Sequence, residues 1–164
     1  MDDPVTHEKQ QAGQQTSDGL EATLELALAH QWHVSANASV VRAKYDDFDQ
    51  MVGGVPQDRA GNRPANVPRR TANLWLSKGF GQQVEAGIGA RYVDERYANT
   101  ANTQRAPGYT VVDANIGWQV LPDVRLGLQV NNLFDREYVA AAFSGEQWIM
   151  GTPRAYFATV DYSF

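Results

Sequence analysis

The amino-acid sequence predicts an all-β fold: an antiparallel, up-and-down transmembrane β-barrel segment of about seven strands, which is an incomplete barrel. Apolar and polar residues alternate with period two in about seven segments, as they do where successive side chains point to opposite faces of a sheet. Short turns and long loops alternate along the chain, so all short turns fall on one side of the predicted sheet. Aromatic residues lie near strand ends on the apolar face, where a bilayer meets water.

Composition limits the other classes of protein. The chain has 164 residues, a net charge of −5 and interspersed acidic and basic residues, so no basic stripe predicts nucleic-acid binding. Its mean hydropathy of −0.46 resembles that of a soluble protein, but a barrel needs apolar residues only at every second position. The chain lacks the run of about 20 apolar residues that a membrane helix needs. It also has no cysteine, which excludes disulfides and thiolate metal sites.

The first two strands are predicted at residues 20–28 and 32–40. Leu and Glu in the first segment favour helix by propensity, but alternation over about nine residues matches a strand that crosses a membrane at barrel tilt. The polar residues 8–17 are expected to extend this strand beyond the membrane. Arg42 continues the apolar parity of the second strand, which places it at or beyond the far rim.

The middle of the chain predicts two strands that follow a long loop. Residues 46–68 contain three prolines and three glycines, which predict a loop, and loops longer than about 15 residues often carry function. Residues 71–78 and 84–92 alternate again around a short turn near Gly81. Lys78 falls on the apolar parity, so its ammonium group is expected to snorkel to the interface.

The last part of the chain predicts three strands. A second loop at residues 98–108 precedes a strand at 112–119, and a short turn leads to a strand at 124–131. A third long connection, residues 135–153, leads into the final strand at 154–164. That final strand would suit a soluble β-sandwich as well as a membrane barrel, so it does not decide between them by itself.

The polar face of the predicted sheet distinguishes a barrel from a sandwich. Charged or amide side chains recur on it: Glu21, Glu25, Asn37, Asp113, Arg125 and Asp161. A water-filled lumen accepts such residues, whereas a sandwich core would have to bury them. The short turns on one side and long loops on the other match bacterial outer-membrane barrels, and Trp32 and Trp118 lie beside short turns on the apolar face. The barrel is therefore favoured.

Five short blocks of sequence stand out within this pattern. They are Ser17-Asp18-Gly19-Leu20-Glu21; Asn66-Val67-Pro68 with Leu74-Trp75 following; Pro107-Gly108-Tyr109-Thr110-Val111-Val112-Asp113; Asn131-Asn132-Leu133-Phe134-Asp135-Arg136-Glu137-Tyr138; and Gly151-Thr152-Pro153-Arg154 before a strand ending in Phe164. In this order they resemble TonB-dependent outer-membrane receptors of the siderophore-receptor type, and the resemblance covers nearly the whole chain.

The resemblance implies a barrel of about 22 strands that encloses a plug, with the amino-terminal plug contacting the TonB complex for energy. Residues 1–164 would be the carboxyl-terminal portion of that barrel, with the plug and the signal peptide absent. The start, Met1-Asp2-Asp3-Pro4, has no signal-like pattern. The implied function is import of ferric siderophores across the Gram-negative outer membrane. Seven strands leave two open edges that lipid does not tolerate, so the chain should not transport anything alone.

The resemblance also implies which residues would meet a ligand, because the long loops and the lumen beneath them would receive it. Aromatic rings stack on a siderophore, and Arg pairs with an anionic ferric complex. The predicted ligand-binding residues are Tyr45, Phe48, Arg59, Arg63, Tyr97, Arg105, Phe143 and Trp148. The alternative for each of them is an ordinary rim or girdle residue.

Two other features have structural interpretations. Residues 131–138 are expected to shape a strand's exit into a loop, since Asn and Asp side chains cap local turns; the alternative is that they contact ligand. Phe164 is expected to be an interfacial aromatic in contact with outer-membrane lipid, and it resembles the terminal signal that the barrel assembly machinery reads.

Several alternatives stay open. Within the family, the ligand could be cobalamin, haem or a carbohydrate; outside it, the chain could be a non-transporting structural β-protein or a gene remnant. No catalytic motif is present, so we expect neither an enzyme nor a cofactor. His7, His30 and His33 lack companions at metal-ligand spacing, and no metal site is predicted.

Overall fold

The protein is described by a computed structural model that covers residues 13–142 and 147–164. A 3₁₀ turn (Ala29–Gln31) joins the first two strands. The strands are β1 (Gln14–Leu28), β2 (Trp32–Asp47), β3 (Asp49–Val52), β4 (Val55–Asp58), β5 (Arg70–Phe80), β6 (Val84–Val93), β7 (Arg96–Tyr97), β8 (Arg105–Ala106), β9 (Tyr109–Leu121), β10 (Val124–Asn131), β11 (Val139–Ala142), β12 (Trp148–Met150) and β13 (Ala155–Tyr162). Within the described ranges, no helix is long and apolar enough to span a membrane.

The seven long strands form one antiparallel sheet in the order β1-β2-β5-β6-β9-β10-β13, which confirms the predicted seven-stranded, up-and-down arrangement. The sheet is open, with β1 at one edge and β13 at the other. Even-numbered residues pair with even-numbered residues across it, as in Ala36 with Leu74 and Leu128 with Ala158. Because side chains alternate along each strand, this register places all the even-numbered apolar residues on one face of the sheet.

The even-numbered face is apolar and exposed. Leu20 is 81% exposed and Val160 is 71% exposed, at the two edges of the sheet, and Leu74 is 51% exposed near its middle. Monomeric soluble proteins rarely expose apolar patches of more than a few hundred Å². This face therefore has the character expected of a surface that contacts lipid.

The odd-numbered face carries hydrogen-bonded polar side chains. The Asn73 amide donates to the Asn37 side-chain oxygen at 2.8 Å, and the hydroxyl oxygens of Ser39 and Thr71 lie 2.8 Å apart. Arg125 on β10 forms an ion pair of 3.4 Å with Glu85 on β6. These contacts agree with the prediction of a polar face that suits a wet lumen.

The indole of Trp75 packs on the odd-numbered face. Trp75 on β5 packs over Gly87 and Gly89 of β6, where a β-carbon at either glycine would collide with the indole. Glycine is therefore required at these two positions by the close approach of the ring.

The short turns lie at the end of the sheet where Lys78 was expected to snorkel. Its ammonium nitrogen lies 4.5 Å from the ring centre of Trp32 and 5.5 Å from that of Phe80, and 3.4 Å from the carbonyl oxygen of His30. The ammonium group thus interacts with two aromatic rings and a backbone carbonyl at the strand end, as predicted, and the aliphatic stem starts from the apolar face.

The long connections are more regular than the sequence predicts. The three segments read as loops contain two-stranded ribbons, β3–β4, β7–β8 and β11–β12. In the first of them, Gly53 and Gly54 adopt positive φ of 59° and 82°, which forms a tight hairpin turn. The predicted long loop is therefore present and contains a β-hairpin, which paired glycines also favour. Residues 14–17 extend β1 as predicted, and residues 8–12 lie outside the described ranges.

Candidate functional site

The long connections meet at one end of the sheet and are tied together through Asn66. Its side chain exchanges two hydrogen bonds with the backbone of Ala142, of 2.5 and 2.8 Å. Its backbone N–H donates to the carbonyl of Tyr97 at 2.9 Å. Asn66 belongs to the β4–β5 connection, Tyr97 to the β6–β9 connection and Ala142 to the β10–β13 connection. We call these three connections, joined in this way, the loop cap.

A buried arginine forms a second link within the loop cap. Arg96 is 3% exposed, and its Nη2 donates to the carbonyls of Val139 and Ala140 at 2.8 and 2.6 Å. Its guanidinium carbon lies 5.9 Å from the ring centre of Tyr109. Its Nη1 is buried and has no hydrogen-bond partner among the described residues. Sequence reasoning did not select Arg96, because nothing in its local pattern distinguishes it from an exposed loop arginine.

Three of the predicted ligand-binding residues form a cluster. The guanidinium carbons of Arg63 and Arg105 lie 5.4 and 5.0 Å from the ring centre of Tyr97. Arg105 Nη2 also donates to the Tyr97 hydroxyl at 3.1 Å, and Nη1 pairs with Glu95 at 2.5 Å. Two cations and an aromatic ring are thereby presented together, which is a suitable combination for a large anionic ligand.

The electrostatic setting of these two arginines differs. Burial lowers the pKa of Arg63, and the nearby positive charge of Arg69 lowers that pKa further. The hydrogen bond to Tyr97 raises the pKa of Arg105, with the Glu95 carboxylate as the next contribution. Both remain cationic at neutral pH, but Arg63 is the one whose charge is less compensated.

A neighbouring group contains three more of the predicted residues. The rings of Tyr45 and Phe48 lie 4.7 Å apart, and burial raises the pKa of the Tyr45 phenol. Arg59 donates to the Gln50 side-chain oxygen at 3.0 Å, and Thr100 donates to the same oxygen at 2.8 Å. These bonds connect the β3–β4 hairpin with the β6–β9 connection.

The remaining two predicted residues are Trp148 and Phe143. Trp148 lies on β12 and is 42% exposed, while Phe143 lies outside the described residues. Ligand binding by any of the eight stays a prediction. Among the described residues, no group of three or more His, Asp or Glu side chains could hold a metal ion; His7 lies outside them.

The Asn–Asp block after β10 shapes the chain, as the sequence predicts. Asn132 adopts a positive φ of 52° and is 4% exposed. Its side chain accepts from the Arg136 backbone N–H at 2.9 Å and donates to the carbonyls of Arg136 and Thr152. Asp135 accepts from the Arg154 backbone N–H at 2.8 Å. The block therefore fixes the exit from β10 and the entry into β13.

A family profile and individual known proteins were compared with the chain, and the matches agree on one family. The family profile described as "TonB dependent receptor-like, beta-barrel" matches residues 2–133. A ferrioxamine receptor from Yersinia enterocolitica is 33% identical over 159 residues, which cover 93% of this chain and 21% of that protein. The vitamin B12 transporter BtuB from Vibrio vulnificus is 36% identical over 90 residues, which cover 55% of this chain and 14% of that protein.

A solved structure agrees with these matches. The crystal structure of the siderophore receptor PiuA from Acinetobacter baumannii superposes with a TM-score of 0.83 at 28% identity, over 92% of this chain and 22% of that one. The chain spans less than a quarter of each of these relatives. Both the predicted family and the predicted fold class are confirmed. The chain belongs to the TonB-dependent receptor family, and its seven-stranded sheet corresponds to part of the β-barrel.

Proposed function

We propose that residues 1–164 form the carboxyl-terminal portion of the β-barrel of an outer-membrane receptor that imports ferric siderophores with energy from TonB. The relatives named as siderophore receptors support this, because they match over nearly the whole chain. The exposed apolar face supports a position in lipid. The plug and its TonB contact would lie in other parts of the receptor, and Phe164 would be read by the barrel assembly machinery.

The main support for a ferric siderophore as the ligand is the cluster of Arg63, Tyr97 and Arg105 in the loop cap. Ferric siderophore complexes are often anionic and present flat or apolar surfaces, so cations beside an aromatic ring would bind them by ion pairing and stacking. The wider group of Tyr45, Phe48, Arg59, Phe143 and Trp148 would line the same entrance. The reaction is transport without bond chemistry, so no residue is assigned a catalytic role.

The test is an uptake assay on a receptor that contains this chain. It would be expressed in a Gram-negative strain that lacks its own siderophore receptors, with and without functional TonB. Radioactive iron would be supplied as ferrioxamine or as ferric catecholate complexes. We expect TonB-dependent uptake of at least one of them. Uptake of the anionic catecholate complex should fall by about tenfold or more in an Arg63→Gln/Arg105→Gln variant, since each charge-assisted contact contributes about 1.5–3 kcal/mol. An Arg136→Gln variant, changed in the block after β10, is the matched control.

A second candidate function is cobalamin uptake, which the similarity to the vitamin B12 transporter favours. Radiolabelled cyanocobalamin supplied to the same cells separates the two. Accumulation of cobalamin without iron uptake would contradict the siderophore proposal. Haem and carbohydrate uptake are measured in the same strain by growth on haem as the iron source and on oligosaccharide as the carbon source. Absence of the protein from outer-membrane fractions would instead favour a gene remnant.

A further inference from the structure

The β7–β8 ribbon has one buried face and one exposed face. Arg96 pairs with Ala106 across the ribbon, and both are buried, at 3% and 0% exposed. Tyr97 pairs with Arg105, and because side chains alternate along a strand, this pair lies on the opposite face. Glu95, directly before β7, has the same parity as Tyr97. The exposed face therefore presents a carboxylate, a phenol and a guanidinium group side by side.

Arg105 is held by both of its neighbours on this exposed face. Its Nη1 pairs with Glu95 at 2.5 Å, and its Nη2 donates to the Tyr97 hydroxyl at 3.1 Å. The side chain of Glu95 is 50% exposed and that of Arg105 is 56% exposed, so the pair is open to solvent and to a ligand. An exposed ion pair of this kind is weak. An anionic group of a ligand can therefore displace the carboxylate from Arg105.

Arg63, the second cation beside Tyr97, has no such partner. Its guanidinium carbon lies 5.4 Å from the Tyr97 ring centre. In the part of the chain that the structure describes, no carboxylate lies within ion-pair distance of it. Burial lowers the pKa of Arg63, whereas the negative charge of Glu95 is among the influences that raise this pKa. Glu95 therefore acts directly on Arg105 and at longer range on Arg63.

We propose that Glu95 determines which charge of ferric complex the entrance accepts, because it occupies Arg105 until a ligand anion displaces it. The inference rests on the proposed siderophore function and adds the class of complex that the cluster prefers. With Glu95 in place, one of the two cations beside Tyr97 is already neutralised. A strongly anionic complex must break this ion pair and also meets the repulsion of the carboxylate, whereas a neutral complex does neither.

The two common donor groups of siderophores differ in charge. The charge of ferric iron is balanced by the hydroxamates that fill its coordination sphere, so a hydroxamate complex is neutral. Catecholates carry twice the charge of hydroxamates and leave the complex strongly anionic. Glu95 is therefore a specificity-determining residue that favours hydroxamate complexes, and it does so through an unfavourable interaction with the competing catecholate complexes.

The test measures ligand binding to the purified receptor that contains this chain, in a neutral detergent. The probes are two synthetic ferric complexes on the same carrier backbone, one with hydroxamate groups and one with catecholate groups, and binding is followed by quenching of tryptophan fluorescence. In a Glu95→Gln variant, the dissociation constant of the catecholate complex should fall by about two- to fivefold, as expected when a weak, exposed charge contact is removed. That of the hydroxamate complex should stay unchanged. Glu95→Asp keeps the carboxylate and should retain the original preference.

Glu85→Gln is the matched control. Glu85 also pairs with an arginine, Arg125, and its side chain is 53% exposed, but it lies near the opposite end of β6. Its replacement should change neither dissociation constant. In an Arg105→Gln background, Glu95→Gln should have a smaller effect on the catecholate complex than in the unchanged receptor, since residues in contact are energetically coupled. Heat-dependent gel mobility checks that the barrel of each variant has assembled.

The possible failures can be told apart. If Glu95→Gln changes the binding of neither complex, or tightens both equally, the role of Glu95 is overturned and the proposed function stands. If the unchanged receptor binds neither ferric complex, the proposed function is contradicted, and the role of Glu95 with it. Tighter binding of the catecholate complex alone, lost again in Glu95→Asp, is the result that supports the inference.

Discussion

The sheet and the loop cap are stabilised in opposite ways, although the chain passes between them six times. In the sheet, large apolar residues such as Leu24 and Val160 are 49% and 71% exposed, and the long strands are joined by regular backbone pairing. In the loop cap, the small residues Ala98 and Ala106 are buried, and so is the charged Arg96. Lipid would complete the burial of the sheet, whereas the loop cap contains its own small core. The two regions should therefore respond differently to the same kind of change.

The largest effect is expected when the 164-residue chain is refolded without the rest of a barrel. The open edges at β1 and β13 leave rows of unpaired backbone N–H and C=O groups. Each unpaired group costs on the order of several kcal/mol in lipid. The 164-residue chain refolded into detergent should therefore aggregate and show no change of gel mobility on boiling. A sharp heat-dependent shift, as a closed barrel gives, would show that the edges close by another route.

The two faces of the sheet can be compared directly on β1. Leu24→Arg, on the exposed apolar face, should destabilise a receptor containing this chain by about 2–4 kcal/mol, because a charge near the bilayer midplane must lose its water. Thr23→Arg, on the polar face of the same strand, should cost far less. Urea unfolding of the receptor in phospholipid vesicles measures both. Equal costs would mean that both faces meet the same medium.

The close approach of Trp75 to β6 gives a smaller effect. Gly89→Val should destabilise the barrel by about 1–3 kcal/mol, since overpacking moves the ring or the strand. Combining it with Trp75→Ala should cost less than the two changes added together. Strict additivity in the unfolding free energies would show that the contact between ring and strand carries no energy.

The smallest effect on global stability is expected in the loop cap. Arg96→Met removes two hydrogen bonds to backbone carbonyls but also relieves a buried, incompletely paired cation, so the net change should be about 1–2 kcal/mol. Hydrogen exchange should speed up at residues 139–142 and stay unchanged in β9 and β10. Uniform acceleration throughout the sheet would contradict the separation of the two regions.

The difference between the regions also explains how far the sequence could predict them. Period-two alternation was sufficient for all seven long strands, because parity alone decides which face a side chain occupies. Lys78 was placed correctly for the same reason. The strand ends were predicted less accurately. The final strand was predicted at 154–164 and runs over Ala155–Tyr162, because an alternating pattern does not mark the residue at which backbone pairing stops.

The loop cap was less predictable for a physical reason. Its bonds join residues far apart in the chain, as Arg96 does with Val139, and they use backbone carbonyls that every residue has. The cluster of Arg63, Tyr97 and Arg105 was anticipated by residue type only, and the sequence contains no signal for the distance between them.

Asn66 places an unusual restriction on which amino acids its position can accept. It adopts a positive φ of 62° while its side chain both donates to and accepts from Ala142. Glycine would tolerate the backbone conformation but supply neither bond, and aspartate would supply the acceptor but lose the donor. Gln, with the right amide on a longer stem, would strain the left-handed backbone. Among relatives such as those named for ferrioxamine and for vitamin B12, a position of this kind should therefore be one of the last to change.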